Sequence, residues 1–240
     1  MINVAINGLG RIGRVTLRQL LKNNKFNVVA INDLNDVKMS THLIEFDSVY
    51  GGIGDTIECD DTSITIGSHR IHYTQIRNPL EAKWKEFKVD VVIDCTGIYK
   101  TYEAALQHVE AGAKKVLLSY PVGDKKIKSI VLGVNDKDLN QDDLVVSNAS
   151  CTTNCSAPIL KLIQDKFGIK RGFLSTIHAY TADQKVNDSA HKDLRRARAS
   201  ATNIIPTSTG AAKALALVIP EIEGKIEGSA FRVPVITGSC

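Results

Sequence analysis

Along the first half of the chain, short apolar runs are separated by turn residues and by stretches of helical spacing. Ile2–Asn7 is a short apolar strand, Gly8–Gly13 a glycine-rich turn, and the spacing that follows predicts a helix from about Arg11 to Leu21. Phe26–Ile31 reads as a second strand ending at Asn32-Asp33, and Met39–Phe46 as a helix. Residues 57–75 alternate, with turns near Asp60-Asp61 and Gly67-Ser68, the pattern of a small antiparallel insertion. Val89–Asp94, Lys115–Ser119, Ser129–Leu132 and Leu144–Ser147 read as further strands, with a helix near 101–110. Strands that alternate with helices in this way predict a parallel sheet covered on both faces.

After residue 150 the texture changes. Ser150 suits a helix N-cap, and Cys155, Ile159, Leu162 and Ile163 then repeat at helical spacing. Pro158 lies inside that helix and removes one backbone donor, so a kink is expected there. Phe173–Ala179 reads as a long strand, 181–208 as polar, basic and irregular, Thr209–Val218 as a helix, and 225–236 as a strand containing Pro234. The change places a domain boundary near 148–151, giving domains over 1–150 and 151–240.

Composition narrows the function classes. A hydrophobic fraction of 43% and a charged fraction of 23% are ordinary for a soluble globular chain of 240 residues. The net charge of +4 suits small anionic substrates without demanding nucleic acid. The first residues lack a basic region followed by an apolar one, and no apolar stretch approaches the ~18–20 residues of a membrane span. Cys59, Cys95, Cys151, Cys155 and Cys240 are odd in number and lack a disulfide framework, which predicts a reducing, cytoplasmic setting.

Gly8-Leu9-Gly10-Arg11-Ile12-Gly13 matches G-x-G-x-x-G. The match follows a strand, opens a helix, and is followed by Asp33 at the end of the next strand, which is the context of a dinucleotide site in a Rossmann-type sheet. Gly8 permits the turn, Gly10 lets backbone approach a pyrophosphate, and Gly13 lets helix and strand pack closely. Asp33 accepts from a ribose and repels a 2′-phosphate, which favours NAD. Thr96 and Gly97 end a later strand on the same edge of the sheet.

The chemistry centres on Ser147-Asn148-Ala149-Ser150-Cys151-Thr152-Thr153-Asn154-Cys155. Cys151 falls in the first turn of a helix, where unpaired N–H groups and the helix dipole favour a negative charge. A thiol in such a place is shifted from ~8.5 into the range ~3.5–7.5. His178, at the end of an apolar strand, is the best partner among six histidines. His42, His69, His72, His108 and His191 read as surface or structural residues. A thiolate, a histidine and a nicotinamide site together suggest attack on an aldehyde, hydride loss from the hemithioacetal, and a thioester product. A Cys–His protease has no use for the dinucleotide fingerprint. The C-x3-C spacing of Cys151 and Cys155, with no second pair nearby in sequence, does not suit zinc.

Thr207-Ser208-Thr209-Gly210 precedes a helix and offers hydroxyl and N–H groups to a phosphate. Arg195, Arg196 and Arg198 add guanidinium groups, and Arg232 lies in a later strand. The basic run lacks interleaved aromatic residues, which argues against nucleic acid.

These motifs resemble those of the phosphorylating glyceraldehyde-3-phosphate dehydrogenase family. The likeness runs through Ala5 to Arg14, Ala30 to Asp33, Cys95-Thr96-Gly97, Ser147 to Cys155, Thr176 to Thr181, His191 to Ala199, Ile204 to Ala214 and Arg232-Val233-Pro234, in family order. The resemblance implies a Rossmann-type NAD-binding domain followed by an incomplete α+β catalytic domain. It implies Cys151 as nucleophile and His178 as its partner. NAD is expected at Asn7, Gly8, Gly10, Arg11, Ile12, Asp33, Thr96, Gly97 and Ser119. Inorganic phosphate is expected near Ser150, Thr152, Arg196, Thr209 and Gly210, and the phosphate of glyceraldehyde 3-phosphate near Thr181 and Arg232. It further implies a glycolytic homotetramer with no membrane or specific nucleic-acid partner. Erythrose-4-phosphate dehydrogenase is a close relative, but Thr181 and the Thr209-Gly210 turn look more like the glyceraldehyde enzyme.

Two departures from the family pattern are visible. Ser189-Ala190 stand where strict NAD users often carry Leu-Pro, while Leu34 after Asp33 is the NAD-like choice. Family chains also continue past the Arg-Val-Pro motif, so a truncated catalytic domain is expected, with a non-catalytic NAD-binding remnant as the alternative reading. The expected cofactor preference is NAD with weak NADP use; kcat/KM measured with each cofactor checks it, and a value favouring NADP overturns it.

Overall fold

The computed structural model describes residues 1–240. The chain divides into two compact units, Met1–Ser129 with Leu139–Asn148, and Ile130–Asp138 with Ala149–Cys240. No helix is long and apolar enough to cross a membrane.

The first unit is built on nine strands: β1 (Ile2–Asn7), β2 (Phe26–Asn32), β3 (Ile57–Asp60), β4 (Ser63–Ile66), β5 (His69–Thr74), β6 (Val91–Asp94), β7 (Lys115–Leu118), β8 (Lys128–Ser129) and β9 (Val145–Ser147). Their order is β3-β4-β5-β2-β1-β6-β7-β9-β8. The β3-β4 and β4-β5 pairs are antiparallel and the rest parallel. The sheet is thus a Rossmann-type parallel sheet with a small antiparallel extension. The central strand β1 is apolar on both sides because both faces are covered. Ile6 joins Leu17, Ile31, Ile64 and Ile71 on one face, and Ala5 joins Ala30, Trp84, Val92 and Ala113 on the other.

Three helices flank this sheet. α1 (Arg11–Leu21) starts directly from the glycine turn and buries Leu17. α2 (Val37–Glu45) begins before the expected Met39, because Asp36 caps it by accepting the Met39 N–H at 2.7 Å. α3 (Tyr102–Glu110) is capped by Thr101, which accepts the Ala104 N–H at 3.3 Å. The segment after α2 is drawn onto α1 by charge. Asp47 accepts from Arg11 at 2.6 Å and lies 3.4 Å from Arg14 Nε. Burial pushes the Asp47 carboxyl up, but the bonds from Arg11, Tyr50 N–H and Val49 N–H outweigh it and hold the group well below the usual range. Arg18 donates to the carbonyls of Ile44, Gly51 and Gly52.

The second unit carries α4 (Cys151–Phe167), β10 (Gly172–Ala179), β11 (Ile205–Thr207), α5 (Ala211–Val218) and β12 (Ile226–Val233). The helix runs on through Pro158 to Phe167. β10 and β12 are parallel and β11 is antiparallel to β12, in the order β10-β12-β11. Leu215, Val218, Ile219, Ile222 and Ile226 form its core with Ala157 and Val131.

Several element boundaries differ from the sequence reading. The strand expected over Ser129–Leu132 is the two-residue β8, Lys128–Ser129. The strand expected to pass Pro234 stops at Val233, since proline has no N–H to give to a ladder. β11 lies inside a stretch read as irregular, and its three residues, one of them Pro206, are too few to show a period.

The glycine turn is fixed by sterics. A Cβ at Gly13 would lie 2.0 Å from the Gly8 carbonyl oxygen, and one at Gly8, whose φ is +91°, would lie 2.8 Å from Thr96 Cγ2. A Cβ at Gly10 would meet nothing within 4 Å. Gly13→Ala is therefore expected to destabilise the protein by about 1–3 kcal/mol. Gly10→Ala is expected to stay within about 0.5 kcal/mol. Urea unfolding of the two variants checks the contrast, and equal stabilities would contradict this account of the turn.

Candidate active site

The chain leaves β1 for β2 and β5 on one side, and returns to β6, β7 and β9 on the other. The reversal between β1 and β6 is a topological switch point, where sheets of this kind bind ligands at the carboxyl ends of their strands. A cleft of about 440 Å³ lies there, lined by Asn7, Gly8, Gly10, Asn32, Asp33, Leu34, Ile76, Arg77, Cys95, Thr96, Ile98 and Tyr99.

These walls suit a dinucleotide. The open space over Gly10 leaves room for a diphosphate against backbone, and the first N–H groups of α1 have no partner within the helix. Asp33 is already tied to the turn, since its Oδ2 accepts the Leu9 N–H at 2.6 Å and its Oδ1 accepts from Asn35. Carboxylate oxygens accept more than one bond each, so Asp33 keeps capacity for a ribose. Arg11 is committed to Asp47 and stands over the Tyr50 ring, while Ile12 is exposed. Ser119 donates its N–H to Asp94 O, and Gly97 adopts a φ of +73° beside Thr96. The Asn7 side chain is buried, bonded to Asp94 and Asn32.

The second unit carries the thiol. Ala149, two residues before Cys151, has a φ of +56°, a left-handed conformation that an alanine adopts only at a cost of about 1–2 kcal/mol. Ser150 caps α4 by accepting the Thr153 N–H at 3.0 Å, and its hydroxyl meets Thr153 Oγ1 at 2.7 Å. Cys151 is then the first residue of the helix and is exposed.

His178 faces the sulfur, with Cys151 Sγ and His178 Nε2 3.0 Å apart. The imidazole is anchored behind by the Ala179 carbonyl, 2.7 Å from Nδ1. The Nδ1 side of the ring is thus held against the main chain, and Nε2 is the nitrogen that meets the thiol. The segment Gly238–Cys240 bonds to the backbone of Ile177 and Ala179, on either side of His178.

The Cys151 thiol is pulled down chiefly by the hydrogen bond from His178, against burial, with His178's charge and Thr152 adding to the effect. His178 is raised chiefly by its bond to Cys151, against burial, with the Ala179 carbonyl helping and Arg232 opposing. Both shifts favour the thiolate beside a protonated ring.

Arg232 is the third member of this group. The β10-β12 register sets it opposite His178, and its Nη1 donates to the Ala179 carbonyl at 3.0 Å while lying against His178 Nδ1. Two strands about fifty residues apart in sequence meet here, and a cross-strand partner of that kind has no local sequence signal. Arg196 and Asp183 are electrostatic neighbours of Arg232, and Arg196 is ion-paired with Asp183. The buried Nε atoms of Arg196 and Arg232 have no hydrogen-bond partner. Asp183 and its neighbour His191, 3.6 Å away, were not singled out by the sequence reading of this site.

Other expected residues are placed less centrally. Thr181 bonds through its N–H and hydroxyl to Gln184 Oε1, and Thr152 follows Cys151 in the helix. Thr209 accepts the Ala211 N–H at 3.1 Å, and Gly210 stands at the start of α5 with open space around it. Cys155 is exposed on α4, one turn beyond Cys151.

Residues 2–102 match the family profile of the glyceraldehyde 3-phosphate dehydrogenase NAD binding domain, and residues 150–240 match that of the C-terminal domain. The chain is 51% identical to a glyceraldehyde-3-phosphate dehydrogenase of Clostridium pasteurianum, over all of this chain and 72% of the relative. It is 51% identical to glyceraldehyde-3-phosphate dehydrogenase 2 of Synechocystis sp., over 98% of this chain and 70% of the relative. It is 49% identical to a glyceraldehyde-3-phosphate dehydrogenase of Priestia megaterium, over 97% of this chain and 70% of the relative.

The rate of alkylation by iodoacetamide, measured against pH, reads the thiolate directly. Cys151 is expected to react with a midpoint below that of an ordinary thiol, ~8.5. In His178→Asn the midpoint is expected to rise, because the bond that favours the thiolate is lost. An unchanged midpoint in that variant would contradict the pairing.

Proposed function

The chain belongs to the glyceraldehyde-3-phosphate dehydrogenase family, and from that membership we propose that it oxidises glyceraldehyde 3-phosphate to 1,3-bisphosphoglycerate with NAD and inorganic phosphate, as a step of glycolysis. The observation that carries the proposal is the 3.0 Å approach of Cys151 Sγ and His178 Nε2 at the start of α4.

Cys151, as the thiolate, attacks the aldehyde carbon, the carbonyl π bond opens, and the oxygen takes back from His178 Nε2 the proton that the thiol had given it, forming a hemithioacetal and leaving Nε2 bare. His178 then takes the proton of the hemithioacetal hydroxyl through Nε2 while the carbon loses hydride. Bound NAD supplies the hydride acceptor. The carbon is left as a thioester on Cys151. A phosphate oxygen attacks that thioester, the carbon–sulfur bond breaks, and Cys151 leaves as the thiolate it began as. No water enters the balance, so the energy of the thioester is kept in the acyl phosphate.

Two anions have to be held beside one sulfur. Ser150, Thr152, Arg196, Thr209 and Gly210 are assigned to inorganic phosphate, and Thr181 with Arg232 to the phosphate of the substrate. The unpartnered Nε of Arg232 supports this, since a buried guanidinium donor without an acceptor is the complement of an anion. NAD is assigned to Asn7, Gly8, Gly10, Arg11, Ile12, Asp33, Thr96, Gly97 and Ser119, of which Asn7, Gly8, Gly10, Asp33 and Thr96 line the cleft. A cytoplasmic homotetramer completes the reading.

Formation of NADH by the purified chain is expected to require glyceraldehyde 3-phosphate and phosphate together. Cys151→Ser is expected to lower kcat by about 10⁴ or more, and His178→Asn by about 10²–10⁴. NADH formation that persists in Cys151→Ser would overturn the proposal.

A further inference from the structure

Beneath the cleft in the first unit lie Trp84, His108 and Asp94, buried side chains with polar atoms to which the proposed reaction assigns no role. Trp84, the only tryptophan of the chain, is fully buried and donates its indole N–H to His108 Nδ1 at 3.1 Å. An indole nitrogen only donates, so His108 Nδ1 is the bare nitrogen and the ring's proton sits on Nε2. That Nε2 lies 3.6 Å from Asp94 Oδ2. His108 is 1% exposed and Asp94 0%.

A second line of bonds reaches the same carboxylate oxygen, with Asn7 Nδ2 3.4 Å from His108 Nε2. The Ile76 N–H donates to Asn32 Oδ1 at 2.8 Å, which turns the Asn32 amino group toward Asn7. Asn32 Nδ2 donates to Asn7 Oδ1 at 2.8 Å, and Asn7 Nδ2 donates to Asp94 Oδ2 at 2.6 Å. The other carboxylate oxygen accepts the N–H of Thr96 at 3.1 Å and its hydroxyl at 2.8 Å. Each line starts at a donor that cannot reverse, an indole at one end and a main-chain N–H at the other. Both therefore run into Asp94, a buried carboxylate held by neutral donors.

The cleft lies on this network. Asn7, Asn32, Ile76 and Thr96 belong to it and also line the cleft, from β1, β2 and the segments that follow β5 and β6. We propose that Trp84, His108 and Asp94 are positioning residues for the cofactor: the Trp84 indole fixes the His108 tautomer, His108 and Asn7 together orient Asp94, and Asp94 sets Thr96 and Asn7 at the separation a bound dinucleotide needs. Trp84 and His108 do not touch the cleft and act through Asp94. The inference rests on the NAD reading above.

The test exchanges the two ends of one bond. Asp94→Asn sets an amino group against two donors, Asn7 Nδ2 and the His108 N–H. Asn7→Asp alone sets two carboxylates together. The double variant N7D/D94N restores a donor opposite an acceptor, keeps an acceptor for Asn32 and one for Thr96, and offers one to His108. The dissociation constant for NAD, by calorimetric titration, is expected to rise about tenfold or more in each single variant and to return to within about threefold in the double. KM for NAD is expected to follow the same order. Should the single variants fail to fold, Trp84→Phe, which keeps the bulk and removes the donor, is expected to raise the dissociation constant about threefold.

Single variants that melt at lower temperature yet bind NAD as the unchanged chain does would overturn the proposal and leave a purely structural network. A double variant no better than the singles would overturn it too. If the unchanged chain binds no NAD, the cofactor reading falls and takes the proposal with it. That outcome is distinguished by the unchanged chain's own titration.

Discussion

The hydrogen bond between the Cys151 sulfur and His178 is the interaction to which the second unit is built. Without a partner, a thiol at the surface of the protein stays largely protonated at neutral pH. With His178 at 3.0 Å and the start of α4 beneath it, the negative sulfur is favoured twice, by a proton acceptor and by free N–H groups. Each supporting element contributes to that distance. Ser150 fixes where the helix begins, β10 carries His178 to its end, and the Ala179 carbonyl sets which ring nitrogen faces the sulfur. The left-handed alanine at position 149 is a local cost accepted at the turn that starts the helix.

The first unit meets a different constraint, which is how close backbone can come to backbone. At Gly13 a helix turn lies against the Gly8 carbonyl, and any side chain would hold them apart. At Gly10 the same spacing is left open. One contact is closed and its neighbour is empty, and that contrast separates a glycine that serves packing from one that serves a ligand. Below the turn, the buried Asp94 carboxylate accepts from Asn7 of β1 and from Thr96 after β6, with His108 of α3 beside it. The cleft therefore has a rigid floor under a wall built of main-chain groups.

Much of this was legible in the sequence, for identifiable reasons. The glycine turn, its strand and helix, and Asp33 are close in sequence and carry a strong local signal. Ser150 and the helical spacing after it announced where Cys151 would sit. His178 could be chosen because an apolar strand ended there in polar residues. Residues that depend on pairing between distant segments were harder to read. Arg232 was visible as a basic residue in a strand, but its place behind His178 follows from the register of β10 on β12. His108 was read as a surface or structural residue, and only its contacts with Trp84 and Asp94 show which. The three-residue β11 and two-residue β8 were too short to carry a period.

The central claim is that carbon is oxidised while bonded to Cys151. A single turnover without phosphate tests this most directly, with NADH followed by absorbance and the protein by mass spectrometry. The account predicts one NADH per active chain, appearing together with an acyl group on Cys151 that phosphate then removes. NADH released with no acyl group on the chain, or with one on another cysteine, would contradict it.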